Sequence, residues 1–393
     1  MNIISPISTW NLTNKKVFLR ADLNVPLNHG TILDDTRLRE IQPTLDYLIT
    51  HGATIILATH IGRPVGNDPA YATQQLVSWF TNKGYTIAYH PTLDSVPIVP
   101  GKIFLIPNLR YYAEEKKSDA GFAKKLASLA HYFVQEAFGT LHRTDTSIAL
   151  LPLQFKPQDR SLGFLVIKEL AVIATLEKPV HPFTIIMGGG KAADKIPVIT
   201  NLISKIDHLL LCPALVFTFL KARGIAVGKS LVDDTVINVC KKIIDDYGHK
   251  LVFPSDLLVA HGSIDGALSV KDLHDIHLND IGISIGPKTI AHFGNIIHQS
   301  KTVFFNGAIG FIERKETLVG MEKLFQAMGE SSATSIIAGG DSIAAANKLG
   351  IQGITHYLTG GGSALALLSR QELPGLKPFL KHRTKTNKAK TIQ

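Results

Sequence analysis

The chain has 393 residues, of which 45% are hydrophobic, so it can build two domains, because one hydrophobic core seldom grows past about 250 to 300 residues. Its longest apolar stretch, 209–220, is too short to span a bilayer, and the first ten residues lack the layout of a secretory signal. Cys212 and Cys240 are the only cysteines, which favours a reducing compartment and argues against a disulfide or a zinc site. We therefore expect a cytoplasmic protein with two inert thiols in its core.

The net charge of +9 suggests acidic partners, but the charge is unevenly distributed. Five basic residues fall in the last thirteen positions with no acid among them: Lys381, Arg383, Lys385, Lys388 and Lys390. We interpret this segment as a solvated, disordered tail; the alternative is weak attraction to nucleic acid or a membrane. Because no RNA-binding aromatic motif accompanies the tail, we expect neither a specific nucleic-acid partner nor a membrane partner.

Short runs rich in Val, Ile, Leu and Phe recur along the chain, with helical patterns between them. Ten such runs are predicted as strands: 17–19, 54–57, 103–106, 132–134, 183–187, 208–211, 251–253, 303–305, 335–337 and 356–358. Continuous apolar strands that alternate with helices indicate parallel sheets covered on both faces. The predicted fold class is therefore α/β, with doubly wound, Rossmann-like domains.

Two of the intervening helices bear on the organisation of the chain. In 119–129, Asp119 can cap the helix, and Phe122, Leu126 and Leu129 are spaced to form one buried stripe. A second helical segment, 168–176, separates the first four predicted strands from the six that follow, and the proline-bearing LEKPVHPF stands at its end. We place the boundary between two domains at this second helix.

Arginine and histidine follow the predicted strands of the first half, and the carboxyl ends of strands are where ligands bind in open α/β sheets. The four strand ends read Arg20-Ala-Asp22-Leu-Asn24, His60-Ile-Gly-Arg63, Asn108-Leu-Arg110 and His142-Arg143, and Arg37 lies in the intervening DDTRLR. Guanidinium forks match carboxylate and phosphate oxygens. Although each arginine alone is also explained by pairing with a surface acid, and a lone histidine is more often structural, their recurrence predicts a site for a small molecule with several anionic groups.

Glycine follows the predicted strands of the second half. The strand ends read Met187-Gly-Gly-Gly190-Lys191-Ala-Ala-Asp194-Lys195, Asn306-Gly307-Ala-Ile-Gly310, Ala338-Gly-Gly340-Asp341-Ser342 and Thr359-Gly-Gly-Gly362-Ser363. Glycine lets the backbone approach a phosphate, and a following helix presents free N–H groups to it. Asp341 offers a carboxylate to Mg²⁺, and Lys191 and Lys195, four apart, are expected on one helical face. The pattern predicts a nucleotide site.

Two familiar phosphate motifs are absent or altered. The stretch 224–230, Gly-Ile-Ala-Val-Gly-Lys-Ser, resembles a Walker loop but is one residue too short and follows a helix rather than a strand. The run after Met187 lacks the G-x-G-x-x-G spacing of a dinucleotide fold. The second observation disfavours an NAD-dependent dehydrogenase, which we keep only as a remote alternative.

Ten motifs of the sequence resemble those of the phosphoglycerate kinase family and occur in that family's order. They are RADLNVP, DDTRLR, HIGRP, NLRYY, EAFGTLHR, MGGGKAADK, SIGPKTI, FFNGAIGFIE, AGGDS and TGGGS. The resemblance extends from about residue 15 to about residue 375. It implies a phosphotransferase with a carboxyl group as acceptor, which moves the acyl phosphate of 1,3-bisphosphoglycerate reversibly to ADP, giving 3-phosphoglycerate and ATP in glycolysis and gluconeogenesis, with Mg²⁺ as cofactor.

The same resemblance implies two domains that face each other across a hinged cleft. Residues 1–167 would form the N-terminal phosphoglycerate-binding domain, 168–177 the interdomain helix and hinge, and 178–370 the C-terminal nucleotide-binding domain. Residues 371–393 would return to the first domain and end in the basic tail. We expect a monomer.

Site residues are carried over from the family position by position. The substrate-binding residues would be Asp22, Asn24, Arg37, His60, Arg63, Arg110 and Arg143. The nucleotide-binding residues would be Gly189, Lys191, Lys195, Asn306, Glu313, Gly339, Gly340, Asp341 and Ser342. By this resemblance Arg37, Lys195 and Gly340 serve catalysis, Asp341 binds Mg²⁺, and Glu313 takes the ribose hydroxyls.

The sequence departs from the family at Cys212-Pro213-Ala214, where the resemblance implies a glycine triplet that lines the adenine pocket. Side chains at these positions are expected to narrow the pocket and to alter purine binding. This departure supports an alternative, a catalytically impaired relative that acts as a binding or scaffold protein. The retention of Arg37, Lys191, Lys195 and Asp341 favours an active enzyme instead, because a scaffold has no need of such a set.

Overall fold

The computed structural model describes residues 6–380 of the chain. These residues divide into two compact units, one formed by 6–168 together with 372–380 and the other by 169–371. Each unit contains its own six-stranded sheet.

The sheet of the first unit is entirely parallel. The strands of this unit are β1 (Lys16–Ala21), β2 (Leu27–Asn28), β3 (Thr31–Ile32), β4 (Thr54–Ala58), β5 (Ile87–Tyr89), β6 (Ile103–Leu105), β7 (Tyr132–Glu136) and β8 (Arg160–Leu162). β2 and β3 pair with each other, and the remaining six follow the order β5-β6-β4-β1-β7-β8. β1 lies between β4 and β7, with Val17, Phe18 and Leu19 fully buried. The arginine- and histidine-bearing loops therefore leave the sheet along one edge.

The second unit contains a parallel sheet and a smaller antiparallel one. Its strands are β9 (Phe183–Met187), β10 (His208–Leu211), β11 (Leu251–Val252), β12 (Asp256–His261), β13 (Leu268–Asp272), β14 (Asp280–Ile285), β15 (Thr302–Asn306), β16 (Thr334–Ala338) and β17 (His356–Leu358). The parallel sheet has the order β11-β10-β9-β15-β16-β17. Every residue of the central strands β9 and β15 is buried, and the glycine-rich turns follow the carboxyl ends of these strands and their neighbours.

Thirteen α-helices connect the strands within residues 6–380. They are α1 (Thr36–Glu40), α2 (Gln42–Thr50), α3 (Val77–Asn82), α4 (Ala113–Lys116), α5 (Ala120–Ala127), α6 (Phe164–Glu177), α7 (Ala192–Leu202), α8 (Leu215–Ala222), α9 (Ile237–Tyr247), α10 (Pro287–Gln299), α11 (Val319–Glu330), α12 (Gly340–Lys348) and α13 (Gly361–Leu368). The side chain of Asp119 caps α5 by accepting from Phe122 N–H at 2.7 Å, as its sequence predicts. The predicted helix 168–176 lies within α6.

All ten predicted strands are present, and the α/β class with parallel sheets is confirmed. The sequence pattern did not indicate the two-stranded sheet β2-β3, the edge strands β5 and β8 or the antiparallel sheet β13-β12-β14. β5 and β8 have only three residues each, and β13 is mostly exposed. The residues of β8, Arg-Ser-Leu, and of β13, Leu-Ser-Val-Lys-Asp, include polar side chains, so these strands lack the continuous apolar run by which the predicted strands are recognised.

Residues 372–380 pack within the first unit. Gly375 N–H donates to the carbonyl of Leu141 at 2.9 Å, and the ring of Phe379 stacks on Phe133 with centroids 6.3 Å apart. The remainder of the C-terminal segment, including the basic tail from Lys381 onward, lies outside the described residues.

Both cysteines are free and buried, as expected for core residues. Burial raises the pKa of the Cys212 thiol, and it raises the pKa of Cys240 to about 12. Both thiols therefore stay protonated and unreactive at neutral pH. Among residues 6–380, none of the helices combines the length and the apolar character that crossing a bilayer requires.

Candidate functional site

The first unit brings Asp22, Arg37 and His60 together at the carboxyl edge of its sheet. Asp22 follows β1, and its Oδ2 lies 2.6 Å from Nη1 of Arg37 in α1. Its other oxygen, Oδ1, lies 3.9 Å from Nδ1 of His60, which follows β4. Burial alone would raise the pKa of Asp22, but its polar surroundings, foremost the charge of Arg37, lower that pKa below its ordinary value. Asp22 is therefore a carboxylate at neutral pH.

His60 is a neutral group in this site. Its side chain is 2% exposed, and burial, together with the positive charges of nearby arginines, lowers the pKa of His60 to about 3 although Asp22 opposes the shift. At physiological pH the imidazole therefore acts as a hydrogen-bonding group rather than as a cation.

Arg110 follows β6 and is held by the loop after β4. Its Nη1 donates to the carbonyl of Gly62, and Gly62 N–H donates in turn to Oδ1 of Asn24 at 2.8 Å. Nε and Nη2 of Arg110 are buried but have no hydrogen-bond partner among residues 6–380, and the same is true of Asp22 Oδ1. Buried donors and acceptors are normally paired, so each of these three atoms retains the capacity for a further hydrogen bond.

Arg143 and Arg63 take more open positions. Arg143 is partly exposed after β7, and its charge contributes to lowering the pKa of His60, so it lies near the cluster. Arg63 is exposed, and within the described part of the chain it makes no hydrogen bond or ion pair. The structure thus joins Asp22, Arg37 and His60 directly and leaves Arg63 facing solvent.

The sequence places Arg20 among the arginines of this edge but indicates no role for it. Its side chain is buried, and Nε donates to Ser147 Oγ at 2.7 Å while Nη2 lies 3.9 Å from Glu115 Oε1. Glu115 and Ser147 were missed because nothing in the local pattern marks them as buried. Arg20 Nη2 also lies 3.4 Å from His60 Nδ1, so Arg20 is a buried neighbour of the site and not one of its exposed cations.

In the second unit, the glycine run after β9 leads to two lysines. Lys191 has a left-handed backbone, with φ 58° and ψ 60°, and immediately precedes α7. Lys191 is therefore outside the helix, and the expectation that Lys191 and Lys195 share one helical face is wrong. The physical reason is that the glycine run ends in a left-handed turn at Lys191, which changes the direction of the chain before α7 begins. Lys195 is inside α7 and 7% exposed. Its Nζ donates to the carbonyl of Gly190, and burial lowers the pKa of Lys195.

The ends of β9 and β15 approach each other closely beside Lys195. Gly307, which follows β15, has φ +95°, and a Cβ atom there would lie 2.0 Å from Gly188 O and 3.2 Å from Lys195 Cε. Glycine is therefore required at this position. Asn306, the last residue of β15, is buried and donates through Nδ2 to the carbonyl of Ala338 at 2.9 Å. The glycine-rich turns and Lys195 consequently form one compact surface.

The turn after β16 leads directly into α12. Gly339 has φ +102°, and a Cβ atom there would lie 3.3 Å from Asn306 Nδ2. Gly340 and Asp341 begin the helix and are exposed, whereas Ser342 is buried. Free N–H groups at the start of a nine-residue helix suit an anion, and the exposed Asp341 carboxylate stands beside them.

A cavity of about 230 Å³ opens next to the glycine run. Its lining includes Gly190, Ala214, Leu215, Leu231 and Asp233. Ala214, one of the residues at which the sequence departs from the family, thus contributes to the cavity wall.

Glu313 lies apart from these contacts. It is exposed in the loop after β15 and makes no hydrogen bond or ion pair within residues 6–380. Its neighbours Phe311 and Arg314 form an isolated antiparallel bridge. Glu313 is therefore positioned by this loop alone.

The Walker-like stretch 224–230 has a structural role. It follows α8, and Lys229 N–H donates to the carbonyl of Asp280 at 2.8 Å. Ser230 Oγ accepts from Gly282 N–H at 2.9 Å. Both contacts hold β14, so this stretch supports the antiparallel sheet, in agreement with its exclusion as a phosphate loop.

Comparison with known proteins covers nearly the whole chain. The family model described as phosphoglycerate kinase matches residues 7–371. The chain is 39% identical over 391 residues to phosphoglycerate kinase 1, chloroplastic, of Arabidopsis thaliana, covering 95% of this chain and 81% of that one. It is 39% identical over 381 residues to phosphoglycerate kinase of Dictyoglomus turgidum, covering 93% and 96%. It is 38% identical over 391 residues to the cytosolic phosphoglycerate kinase of Nicotiana tabacum, covering 95% and 97%.

Solved structures agree with these relatives. The structure of phosphoglycerate kinase from Coxiella burnetii superposes with a TM-score of 0.83 at 31% identity, covering 96% of this chain and 98% of that one. The enzyme from Pyrococcus horikoshii superposes with a TM-score of 0.84 at 28% identity, covering 95% and 98%. With a family model and relatives that span almost all of its length, the chain belongs to the phosphoglycerate kinase family, phosphotransferases that have a carboxyl group as acceptor.

Proposed function

We propose that the first unit binds 3-phosphoglycerate or 1,3-bisphosphoglycerate and that the second binds ADP or ATP together with Mg²⁺. The observation that carries this assignment is the set of buried, unpartnered atoms Asp22 Oδ1, Arg110 Nε and Arg110 Nη2. Two donors suit the oxygens of an anion, and the acceptor suits a hydroxyl. Phosphoglycerate supplies both, and binding it would remove the cost of leaving these groups unpaired.

The remaining substrate roles follow from charge and position. Arg110 and Arg143 are assigned to the anionic groups of the glycerate, and neutral His60 to a hydrogen bond with it. Arg63, being exposed, is assigned to the part of the substrate that extends toward solvent. Asp22 holds Arg37 in place through a contact of 2.6 Å, and Asn24 holds the loop at Gly62 through a contact of 2.8 Å. Asp22 is also assigned to accept a hydrogen bond from the hydroxyl of the glycerate.

On the nucleotide side, backbone and lysine groups meet the phosphates. Gly189, Gly339 and Gly340 allow close approach of the backbone, and Lys191 and Lys195 supply positive charge. Asn306, Glu313 and Ser342 complete the set, with Glu313 taking the ribose hydroxyls. The base is assigned to the cavity beside Ala214.

Mg²⁺ fits this site as an ion that arrives with the nucleotide. Within residues 6–380 there is no group of three or more His, Cys, Asp or Glu side chains that could hold a metal, so the protein does not build a complete cage there. One exposed carboxylate, Asp341, stands at the helix end assigned to the phosphates, and Mg²⁺ is commonly held by one or two carboxylates plus phosphate oxygens and water. When bound, the ion would neutralise phosphate charge.

The reaction requires little covalent chemistry from the protein. A carboxylate oxygen of the phosphoglycerate and a terminal oxygen of ADP exchange the phosphoryl group in line, so that one P–O bond breaks as the other forms. We assign Arg37, Lys195 and the N–H of Gly340 to the charge that the phosphoryl oxygens carry in the transition state. Burial and a lowered pKa strengthen this role for Lys195, because a poorly hydrated ammonium gains more from an anionic partner.

Arg37 and Lys195 belong to different units, so transfer requires that the two ligands meet. We propose that 168–177 is the hinge for this motion, that 1–167 and 178–370 are the domains it joins, and that 371–393 belongs with the first.

Relatives described as cytosolic support a cytoplasmic location. We further propose that the protein acts as a monomer, which light scattering after size-exclusion chromatography would test.

The test of function is a coupled assay with 3-phosphoglycerate and MgATP. We expect turnover with 3-phosphoglycerate and none with 2-phosphoglycerate, whose phosphate occupies the place of the hydroxyl that Asp22 would accept. Absence of turnover at millimolar substrate would overturn the proposal. Calorimetry distinguishes the alternative, because a scaffold protein would bind both ligands and transfer nothing; no comparison supports that alternative.

A further inference from the structure

Asp145 places a carboxylate beside Arg110 in the first unit. Its Oδ2 lies 4.0 Å from Arg110 Nη2, its Oδ1 lies 3.7 Å from Lys116 Nζ, and its side chain is 10% exposed. The backbone here is held firmly, because the N–H groups of Ile148 and Ala149 both donate to the Asp145 carbonyl, at 2.9 and 3.0 Å. The position of this negative charge is therefore set by the fold.

The distance between Asp145 and Arg110 is informative. At 4.0 Å the two charges attract, but they are too far apart for a hydrogen bond. The buried Nε and Nη2 of Arg110 therefore remain without a hydrogen-bond partner among residues 6–380. A carboxylate at this distance compensates the guanidinium charge and leaves its donors available to a ligand.

We propose that Asp145 is an affinity-setting residue, a built-in counter-charge that limits how tightly Arg110 and its neighbours hold the phosphoglycerate anion. This inference rests on the proposed function, in which Arg110 binds that anion. An anion within several Å of Asp145 is repelled by it, and one unit charge at a partly screened site changes affinity by about tenfold. The consequence is faster release of a multiply charged ligand from a site rich in arginine.

Lys116 moderates the same charge from the solvent side. Its side chain is 52% exposed, and its Nζ approaches the Asp145 oxygen other than the one that faces Arg110. Part of the Asp145 charge is thereby neutralised. Removing Lys116 should therefore strengthen the repulsion between the Asp145 carboxylate and the substrate anion.

The test is titration of Asp145→Asn with 3-phosphoglycerate by calorimetry, beside steady-state kinetics. Asparagine keeps the shape and removes the charge. We expect the Kd for 3-phosphoglycerate to fall about tenfold, KM for 3-phosphoglycerate to fall with it, and KM for MgATP to stay unchanged. The gain should shrink as NaCl is raised, because salt screens the interaction. Asp159→Asn is the matched control: it removes one negative charge just before β8, at the amino end of the sheet, and should leave the Kd unchanged.

A Kd for Asp145→Asn that is unchanged or higher than that of the wild type overturns the inference and leaves the proposed function intact. Wild-type protein that fails to bind 3-phosphoglycerate overturns both.

Lys116→Met provides a second measurement, and its effect in the wild-type background does not depend on the folding of Asp145→Asn. It should raise the Kd about threefold in the wild-type background and have little effect in the Asp145→Asn background, since the pair acts as a unit. Equal losses in both backgrounds would show that Lys116 contacts the anion itself, and would overturn its pairing with Asp145.

Discussion

Ser147 donates twice to Glu115, through its hydroxyl to Oε1 at 2.6 Å and through its main-chain N–H to Oε2 at 3.0 Å. Arg20 closes the group, because its Nε donates to Ser147 Oγ at 2.7 Å. All three side chains are buried. The group connects β1 and α4 to the segment that follows Arg143.

Glu115 should make stability depend on pH. Burial raises the pKa of Glu115 to about 7 from an ordinary value of 4.5, although Arg20 and Ser147 oppose the shift. Between these values the folded protein binds more protons than the unfolded chain, so the free energy of unfolding falls as pH rises. Between pH 4.5 and about 7, the free energy of unfolding of the wild type should fall by about 3 kcal/mol relative to that of Glu115→Gln. Urea denaturation at pH 5, 6, 7 and 8 measures the difference.

The control for this experiment is Glu114→Gln, which changes the exposed neighbour on the same helix. The free energy of unfolding of Glu114→Gln, plotted against pH, should run parallel to that of the wild type. If the plot for Glu115→Gln is also parallel to that of the wild type, burial does not raise the Glu115 pKa.

Arg37→Met should raise KM for 3-phosphoglycerate and lower kcat by about 10²-fold or more, because it removes a guanidinium assigned to the transferring group. Arg39→Met is the matched control on the same short helix. Arg39 pairs with Asp35 at 2.8 Å and is 51% exposed, so its loss should change kcat/KM by less than about twofold. Steady-state kinetics of both variants decide the matter, and equal effects would refute the assignment of Arg37.

Lys195→Ala should lower kcat by about 10² to 10³-fold and change KM far less, because its contact strengthens in the transition state. Lys242→Ala, an exposed lysine on α9, removes the same charge elsewhere in the unit. It should behave as wild type. An effect of Lys195→Ala confined to KM would mean that the residue serves ground-state binding only.

Ala214→Gly should tighten nucleotide binding, because Ala214 contributes to the wall of the cavity assigned to the base. Removing one methyl group is expected to lower the Kd for MgADP by up to about tenfold. Fluorescence or calorimetric titration measures this, with Ala222→Gly at the end of α8 as the control. If Ala214→Gly leaves the Kd where it was, the departure from the family at this position is harmless.

Gly188→Ala should destabilise the second unit. A Cβ atom at Gly188 would lie 2.8 Å from Pro213 O and 2.9 Å from Cys212 Cβ, and overpacking of this kind costs about 1 to 3 kcal/mol. Gly294→Ala, within α10, meets no atom within 4 Å and should instead stabilise by about 0.5 to 1 kcal/mol. Denaturant unfolding of the two variants should therefore shift in opposite directions; a shift in the same direction contradicts the packing argument.

The sequence by itself determined the elements whose signal is local. Ten apolar runs became strands because a strand buried on both faces needs a continuous apolar stretch, and Asp119 capped α5 because capping depends on the next three residues only. The order of motifs along the chain likewise sufficed to indicate the family, since motif order is a property of the sequence.

Only the tertiary structure decided which charged groups are buried and which charges face each other. Glu115 and Arg20 are separated by 94 intervening residues, and Asp145 meets Arg110 across another loop. Lys191 precedes α7 and does not lie within it, because its own backbone adopts left-handed dihedral angles at the end of the glycine run. Desolvation and Coulomb energies depend on distances in space, and distances between residues remote in sequence exist only once the chain has folded.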